Sequence, residues 1–467
     1  MLHSLSRVCH LSADWIAKEI ADVDFQINNF DAEPTYNKER IQMSSDHEVS
    51  NKPDGAFRIL HTADWHLGKL LNDQSRHQEH QRFLDWLYRV VKGHSIDAII
   101  LAGDVFDSPN PPQQAVRLYY DFVAALSSLD QCEFVVIAGN HDSAAHLESP
   151  KQVLSALHTH VIGFLPEDPA DRLIYLPDSK DPRVAIATLP FLRDKDVRVG
   201  KAGEDTKQIG AKVVAGIQLR YQETADAANL GPNCPVIGTG HLTVLGSKTS
   251  DSERDIHIGG LGSVNPGIFP KIFSYVALGH LHRPQAPKGD DRIHYSGSPI
   301  ALSFSESEDT KEVRIIDLVD DQLSQHQLPI PCFRHLAQIR TTSDALEKSI
   351  EEFTPDPGEF KAWVEVVVSE ATFDEDLIER VQLAAKDRDF DVLKVIRSST
   401  HELQGMSVEQ QTDDEAIESL LDDPSGVFRH LLEEKGIQGT EAEELSEAFA
   451  ILLDLDSQDD FKSGGEE

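Results

Sequence analysis

Five short clusters in this chain carry side chains able to bind metal ions: Asp64-x-His66, Gly103-Asp104-x-x-Asp107, Gly139-Asn140-His141-Asp142, Gly240-His241 and Gly279-His280-x-His282. Their donors are carboxylate oxygen, amide oxygen and imidazole nitrogen. Hard and borderline divalent ions accept all three, and no thiolate is among them. With Asp104 shared, seven of these side chains supply eight ligand bonds, four to each of two ions. A glycine beside the clusters lets the backbone turn sharply and come close to the metals. Taken singly the clusters say little, since a D-x-H pair is usually a surface or structural feature and G-N-H-D also reads as a turn before a capped helix. Five in this order, each after an apolar run, point to a two-metal centre.

Those apolar runs are the elements that must position the donors. FRILHTADWH, DAIILAGDVFD, EFVVIAGNHD, PVIGTGHL and YVALGHLH each read as a buried strand ending in a functional loop. Between the first runs, Phe83, Leu84, Leu87, Val90 and Val91, and then Leu118, Tyr119, Phe122, Val123 and Leu126, form helical stripes. Alternating strand and helix predicts an α/β core with its ligands at the carboxyl ends of the strands, where all five clusters fall.

The chain divides into four parts. Residues 1–56 are polar and unpatterned and read as an extension with little fixed structure. Residues 57–334 hold every metal-type cluster. Residues 335–400 form a second βαβαβ pattern, with HLAQIR, AWVEVVV and DVLKVIR as strands and SDALEKSIEEF and DEDLIERVQLAAKD as helices. Residues 401–467 carry 20 acidic and 3 basic side chains, with Leu445, Phe449, Leu452 and Leu453 as a narrow apolar stripe on a predicted helix. An acidic helical tail with one apolar face suits docking to a partner as well as packing on its own domain.

Over 467 residues the net charge is −37. So acidic a balance argues against a protein that coats nucleic acid or anionic membrane through its overall field. The four cysteines, Cys9, Cys132, Cys234 and Cys332, lie far apart with no C-x-x-C pair, which fits a reduced, cytoplasmic setting. No apolar run is long enough to span a bilayer, and the first residues lack the apolar core of a secretory signal, so a soluble, unexported protein is expected.

The ordered clusters resemble the calcineurin-like metallophosphoesterase superfamily. The longer words ILHTADWHLGK, IILAGDVFDSPNPP, AGNHDS, TGHLT followed by GSKTSDSERDIHIG, ALGHLHRPQ and YSGSPIALSF resemble its SbcD branch, the nuclease subunits of bacterial SbcCD complexes. The resemblance implies a two-sheet α/β sandwich with a small C-terminal α/β capping domain at about 335–400 and a helical tail. It implies that Asp64, His66, Asp104 and His282 hold one manganese ion and that Asp104, Asn140, His241 and His280 hold the other. His141 becomes a catalytic histidine that is not a ligand, orienting the phosphate or protonating the leaving oxygen, while Asp107 and Asp142 orient the ligands from behind. As partners it implies DNA, the ATPase subunit SbcC docked on the tail, and a homodimer within a heterotetramer, with the two helical stripes as its contact or packed on the parent sheet. Members of the branch begin close to the first strand, which leaves residues 1–42, ahead of Met43, as an addition to the pattern.

The leading reading is a manganese-dependent nuclease subunit in DNA repair, replication and recombination, acting as an exonuclease on duplex ends and an endonuclease on single strands and hairpins. A phosphoesterase acting on small phosphate esters or cyclic nucleotides would use the same metals, so the ligands cannot separate the two. The third reading is a non-catalytic docking subunit, against which stands the complete set of ligands with His141.

Overall fold

The computed structural model describes residues 51–399 apart from 130, 131, 200–205, 251, 254–261, 321, 357 and 371–375. The extension expected over residues 1–56, its last six residues aside, and the tail stripe of Leu445, Phe449, Leu452 and Leu453 lie outside the described residues.

Two sheets form the body of the molecule. In the first, of six strands, the order is β13 (Gln322–Pro329), β12 (Glu312–Val319), β1 (Phe57–Thr62), β4 (Ala98–Ala102), β5 (Glu133–Ile137) and β6 (Thr159–Ile162). β1, β4, β5 and β6 run parallel, and β12 joins β1 antiparallel. The second sheet has the order β11 (Ile293–Tyr295), β10 (Phe273–Gly279), β9 (Val236–His241), β8 (Val184–Ala187) and β7 (Leu173–Leu176).

The central strands β4 (AIILA) and β5 (EFVVI) are nearly continuous apolar runs because both of their faces are covered, whereas the edge strand β13 (QLSQHQLP) is polar and largely exposed. Ile59, Ala98, Ile100 and Val135 face the inter-sheet layer, where they meet Ile186, Ile237, Tyr275 and Ala277 of the second sheet. Their neighbours Leu60, Ile99, Leu101, Phe134 and Val136 point the other way, into a layer shared with two helices, His77–Gly93 and Gln113–Ser127. On its outer face the second sheet is covered by the helix Thr206–Leu230 through Val213, Ile217, Tyr221 and Ala225. The result is the two-sheet α/β sandwich that the family resemblance implies, built on the α/β core that the alternation of strands and helices predicts.

The helical stripes settle on the parent sheet. Phe83, Leu84, Leu87, Val90 and Val91 are at most 7% exposed within the single chain, and Tyr119, Phe122, Val123 and Leu126 at most 3%. Only Leu118 is partly exposed. Of the two destinations expected for these stripes, a dimer contact or the parent sheet, burial within the single chain favours the parent sheet. An amphipathic helix buries its apolar face on the nearest apolar surface, and here the sheet occupies it.

Following β13 in the chain, β14 (Arg334–Thr342), β15 (Phe360–Glu370) and β16 (Phe390–Ser399) make a three-stranded sheet in that order. The helices Leu346–Glu352 and Leu377–Ala384 pack on it through Leu346, Ile350, Leu377 and Val381. Trp363 of β15 joins this small domain to the body. It packs with Leu71, Phe304 and Leu336, and the guanidinium of Arg334 lies 4.1 Å above its ring. Leu71 belongs to a short hairpin, β2 (Leu70–Leu71) with β3 (Gln74–Ser75), that leads into the helix His77–Gly93. Glu79 on that helix receives both Arg76 Nε at 2.8 Å and Arg334 Nε at 2.7 Å. No helix among the described residues is long and apolar enough to cross a membrane.

Candidate metal centre

Every cluster singled out in the sequence lies at the carboxyl end of a central strand: Asp64 and His66 after β1, Asp104 after β4, Asn140 and His141 after β5, His241 at the end of β9, and His280 and His282 after β10. The residue between each spaced pair anchors the loop. Trp65 is fully buried among Phe83, Phe122 and Phe134, and Leu281 is fully buried under the second sheet. With Trp65 and Leu281 pinned into the cores on either side, the flanking residues turn toward the cleft between the sheets.

These turns hold strained backbone. Asp64, His66, Asp104 and His280 have φ of 54°, 45°, 52° and 98°, a region that costs a residue with a Cβ about 1–3 kcal/mol. Cross-links hold them there. The Asp64 and His66 amides donate to the carbonyls of Gly103 and Asp104, both at 3.0 Å. The His141 amide donates to Asp104 Oδ1 at 2.9 Å and the His280 amide to Asp64 Oδ1 at 2.8 Å. Gly103, at φ 91°, passes so close to His241 that a Cβ there would collide with Nδ1.

The donor atoms converge. His66 Nε2 and His282 Nε2 are 3.1 Å apart. Asp104 Oδ2 lies 3.5 Å from His66 Nε2 on one side and 3.2 Å from His241 Nε2 on the other, so that one carboxylate oxygen faces both imidazoles. Asn140 Oδ1 is 2.8 Å from His241 Nε2. Among the described residues, three groups offer ligand atoms all within 4.8 Å of one another: Asp64, His66 and His282; Asp64, Asp104 and His241; and His66, Asp104 and His141. His280 stands outside these groups, its ring centroid 5.5 Å from that of His241. Asp64 Oδ2, buried, has no hydrogen-bond partner among the described residues. A buried carboxylate oxygen left open beside converging imidazole nitrogens fits a cation.

The electrostatics agree. Burial, with the Asp104 carboxylate nearby, pushes Asp64 up to about 7 against the pull of His241 and His66. Burial would raise Asp104 too, yet the imidazoles of His241, His66 and His141 hold it well below the ordinary carboxylate range. Burial opposes charge on His241, but Asp104, hydrogen-bonded to it, and Asp64 outweigh burial and raise the imidazole to about 9. The carboxylates thus stabilise positive charge here, whether a proton on His241 or a cation in its stead.

Behind the donors stand groups that orient them. His241 Nδ1 is 3.0 Å from the Ala102 carbonyl, His66 Nδ1 is 3.2 Å from Asp107 Oδ1, and His141 Nδ1 is 2.8 Å from the Asp107 carbonyl. Asp142 accepts from the amides of Val105, Phe106 and Gly139 at 2.9–3.1 Å, tying the Asp104 loop to the Asn140 loop. Sequence reasoning missed the group behind His282: Ser252, Glu253, Glu306 and Lys311. A loop dense in Ser, Asp and Glu, SKTSDSE, is the signal that could have drawn attention to the first two.

The calcineurin-like phosphoesterase family matches residues 57–284, and the family described as the Type 5 capsule protein repressor C-terminal domain matches residues 332–436. The SbcD subunit of the nuclease SbcCD from Escherichia coli (strain K12) is 36% identical over 346 residues, covering 73% of this chain and 85% of that protein. The protein of that name from Rhodobacter capsulatus is 40% identical over 293 residues, 60% of this chain and 72% of its own. The one from Bacillus subtilis (strain 168) is 38% identical over 265 residues, 56% and 66%.

Proposed function

This chain belongs to the SbcD family of nuclease subunits, and from that premise we propose that it hydrolyses DNA phosphodiester bonds at a two-cation centre, with manganese as the ion. The observation that carries the reading is Asp104 Oδ2 set between His66 Nε2 and His241 Nε2. Asp64, His66, Asp104 and His282 hold one ion in this proposal, and Asp104, Asn140, His241 and His280 the other. When bound, two such cations polarise a phosphate, lower the pKa of a water and stabilise charge on the attacking and leaving oxygens.

The chain's own residues then have distinct tasks. Asp104 fixes the spacing of the two positions, and its buried carboxylate supplies charge to both. His141, tied at Nδ1 to the Asp107 carbonyl and with its ring 4.7 Å from that of His66, orients the phosphate or gives a proton to the leaving oxygen through Nε2. Asp107 holds two histidines at once, one by its side chain and one by its carbonyl. Asp142 keeps the two loops in register.

Duplex ends, single strands and hairpins are the proposed substrates. SbcC, an ATPase, is the proposed partner, reached through residues 401–467, in a cytoplasmic assembly of two copies of each subunit. Because the apolar helix faces are taken up by the sheet, the contact between two copies must use other residues. The test is to incubate the full chain, with and without its ATPase partner, with labelled hairpin DNA, manganese and ATP beside p-nitrophenyl phosphate. Manganese-dependent hairpin cleavage is expected; turnover of the small ester with DNA intact under every condition would sink the nuclease reading.

A further inference from the structure

His282 is held more heavily than any simple turn requires. Its ring Nδ1 is 2.5 Å from Ser252 Oγ, and that hydroxyl in turn hydrogen-bonds Glu306 Oε1. Its amide donates to Glu253 Oε1 at 2.8 Å, and its carbonyl accepts from Lys311 Nζ at 2.9 Å and from the Ser298 amide at 3.0 Å. Glu306 is fully buried. Lys311 Nζ meets its Oε2 at 2.6 Å, and the Leu302 amide donates to the same oxygen at 3.2 Å. Burying such a charge pair is costly, so four separate contributors converging on one histidine call for a reason.

The chemistry of the ring supplies it. A histidine that binds a cation through Nε2 must carry its proton on Nδ1, and a fixed acceptor at Nδ1 sets both that tautomer and the plane of the ring. His66 has Asp107 for this purpose, and His241 has the Ala102 carbonyl. For His282 the acceptor is Ser252 Oγ, whose own hydrogen is taken by the Glu306 carboxylate. The hydroxyl accepts from the ring while it donates to Glu306; Ser250 Oγ lies 2.9 Å from it as well, but the carboxylate is the stronger acceptor and so orients the relay. Ser252 comes from the GSKTSDSERDIHIG word and Glu306 follows the YSGSPIALSF word, two stretches to which the ligand set gives no task.

We propose that Ser252 and Glu306 are positioning residues that hold the His282 ring, through a carboxylate–hydroxyl–imidazole relay, in the orientation that binds one of the two cations. The inference rests on His282 being a ligand, as proposed above.

The test is calorimetric titration of manganese into the full chain and its Ser252→Ala, Ser252→Thr, Glu306→Gln and His282→Ala variants, with thermal unfolding as a check on folding. Ser252→Ala should weaken one of two binding events by about 10- to 100-fold and leave the other unchanged. Ser252→Thr, which keeps the hydroxyl, should restore it, and His282→Ala should remove the same event. At one equivalent of manganese, paramagnetic resonance of Ser252→Ala should show the spectrum of an isolated ion. Because Glu306→Gln leaves Lys311 buried without its carboxylate, Ser252→Ala decides the matter if that variant does not fold. Wild-type affinity for both ions in a folded Ser252→Ala, with one event lost in His282→Ala, overturns the relay. Wild-type binding in His282→Ala as well overturns the ligand assignment beneath it.

Discussion

At the scale of single residues, the proposed function gives the holding of cations and the moving of a proton to different side chains. Asp104→Ala removes the oxygen that lies 3.5 Å from His66 Nε2 and 3.2 Å from His241 Nε2, so calorimetry should find both manganese events lost. His141→Ala should keep both events and lose about 10²- to 10⁴-fold in DNA cleavage, the usual worth of a positioned acid. A His141→Ala protein unable to bind manganese would make His141 a ligand, for which its closeness to His66 and Asp104 gives room. The candidate donors were legible in the sequence because metal chemistry admits few side-chain types and the fold sets them where apolar runs end, although His280 stands outside the convergent groups. Ser252 and Glu306 were not. A serine and a glutamate 54 positions apart announce no chemistry until the fold sets them behind His282. Trp65 and Leu281, the unnamed middle residues of two motifs, hide equally well, since their role is to be buried on opposite sides of the cleft.

Elements decide how the site is carried and where it fails. The central strands β4 and β5 could be read because both faces are covered and their runs are nearly continuously apolar, whereas the destination of the helical stripes could not, since an apolar stripe is written alike for a sheet and for a second copy. Leu87, fully buried, separates the two uses. Leu87→Ala should cost about 2–5 kcal/mol in urea unfolding, as for a core leucine; a change of oligomeric state without loss of stability would return the stripe to an interface. The inter-sheet layer sets an acid limit. His61 on β1 is fully buried, with Nδ1 3.0 Å from the Tyr275 hydroxyl, and burial, with Arg314 and His294 nearby, depresses it to about 3. The unfolded chain takes up this proton at ordinary histidine pH and the folded chain does not, so stability is full above about 6.5 and falls as pH drops toward 3. Between pH 6.5 and 5 the loss from this group is roughly 2 kcal/mol, and His61→Gln should flatten that slope in urea midpoints measured across the interval. Trp363 makes the corresponding prediction for the small domain. Trp363→Ala removes the ring under Arg334 and should speed hydrogen exchange in β14 and β15 more than in β1 and β4.

For the whole molecule, the charge of −37 is unevenly spread, with −17 in residues 401–467 and −5 in the first 56. Part of the remainder is carboxylate that two divalent cations would neutralise locally. The acidic total therefore speaks against broad electrostatic grip on DNA, not against DNA as a substrate. The full chain alone should hold a short duplex only with a dissociation constant on the order of 10⁻⁶ M or weaker at physiological salt, the partner supplying much of the phosphate contact; tight, strongly salt-dependent binding by the chain alone would contradict that. Under the proposed function, two cations share the Asp104 carboxylate in the cleft between the sheets. Anomalous diffraction at the manganese edge, from crystals of the full chain soaked in manganese, tests it most directly. Two peaks are predicted on either side of Asp104 Oδ2, one against His66 and His282 and the other against Asn140 and His241. A single peak, or two that do not share Asp104, would contradict it.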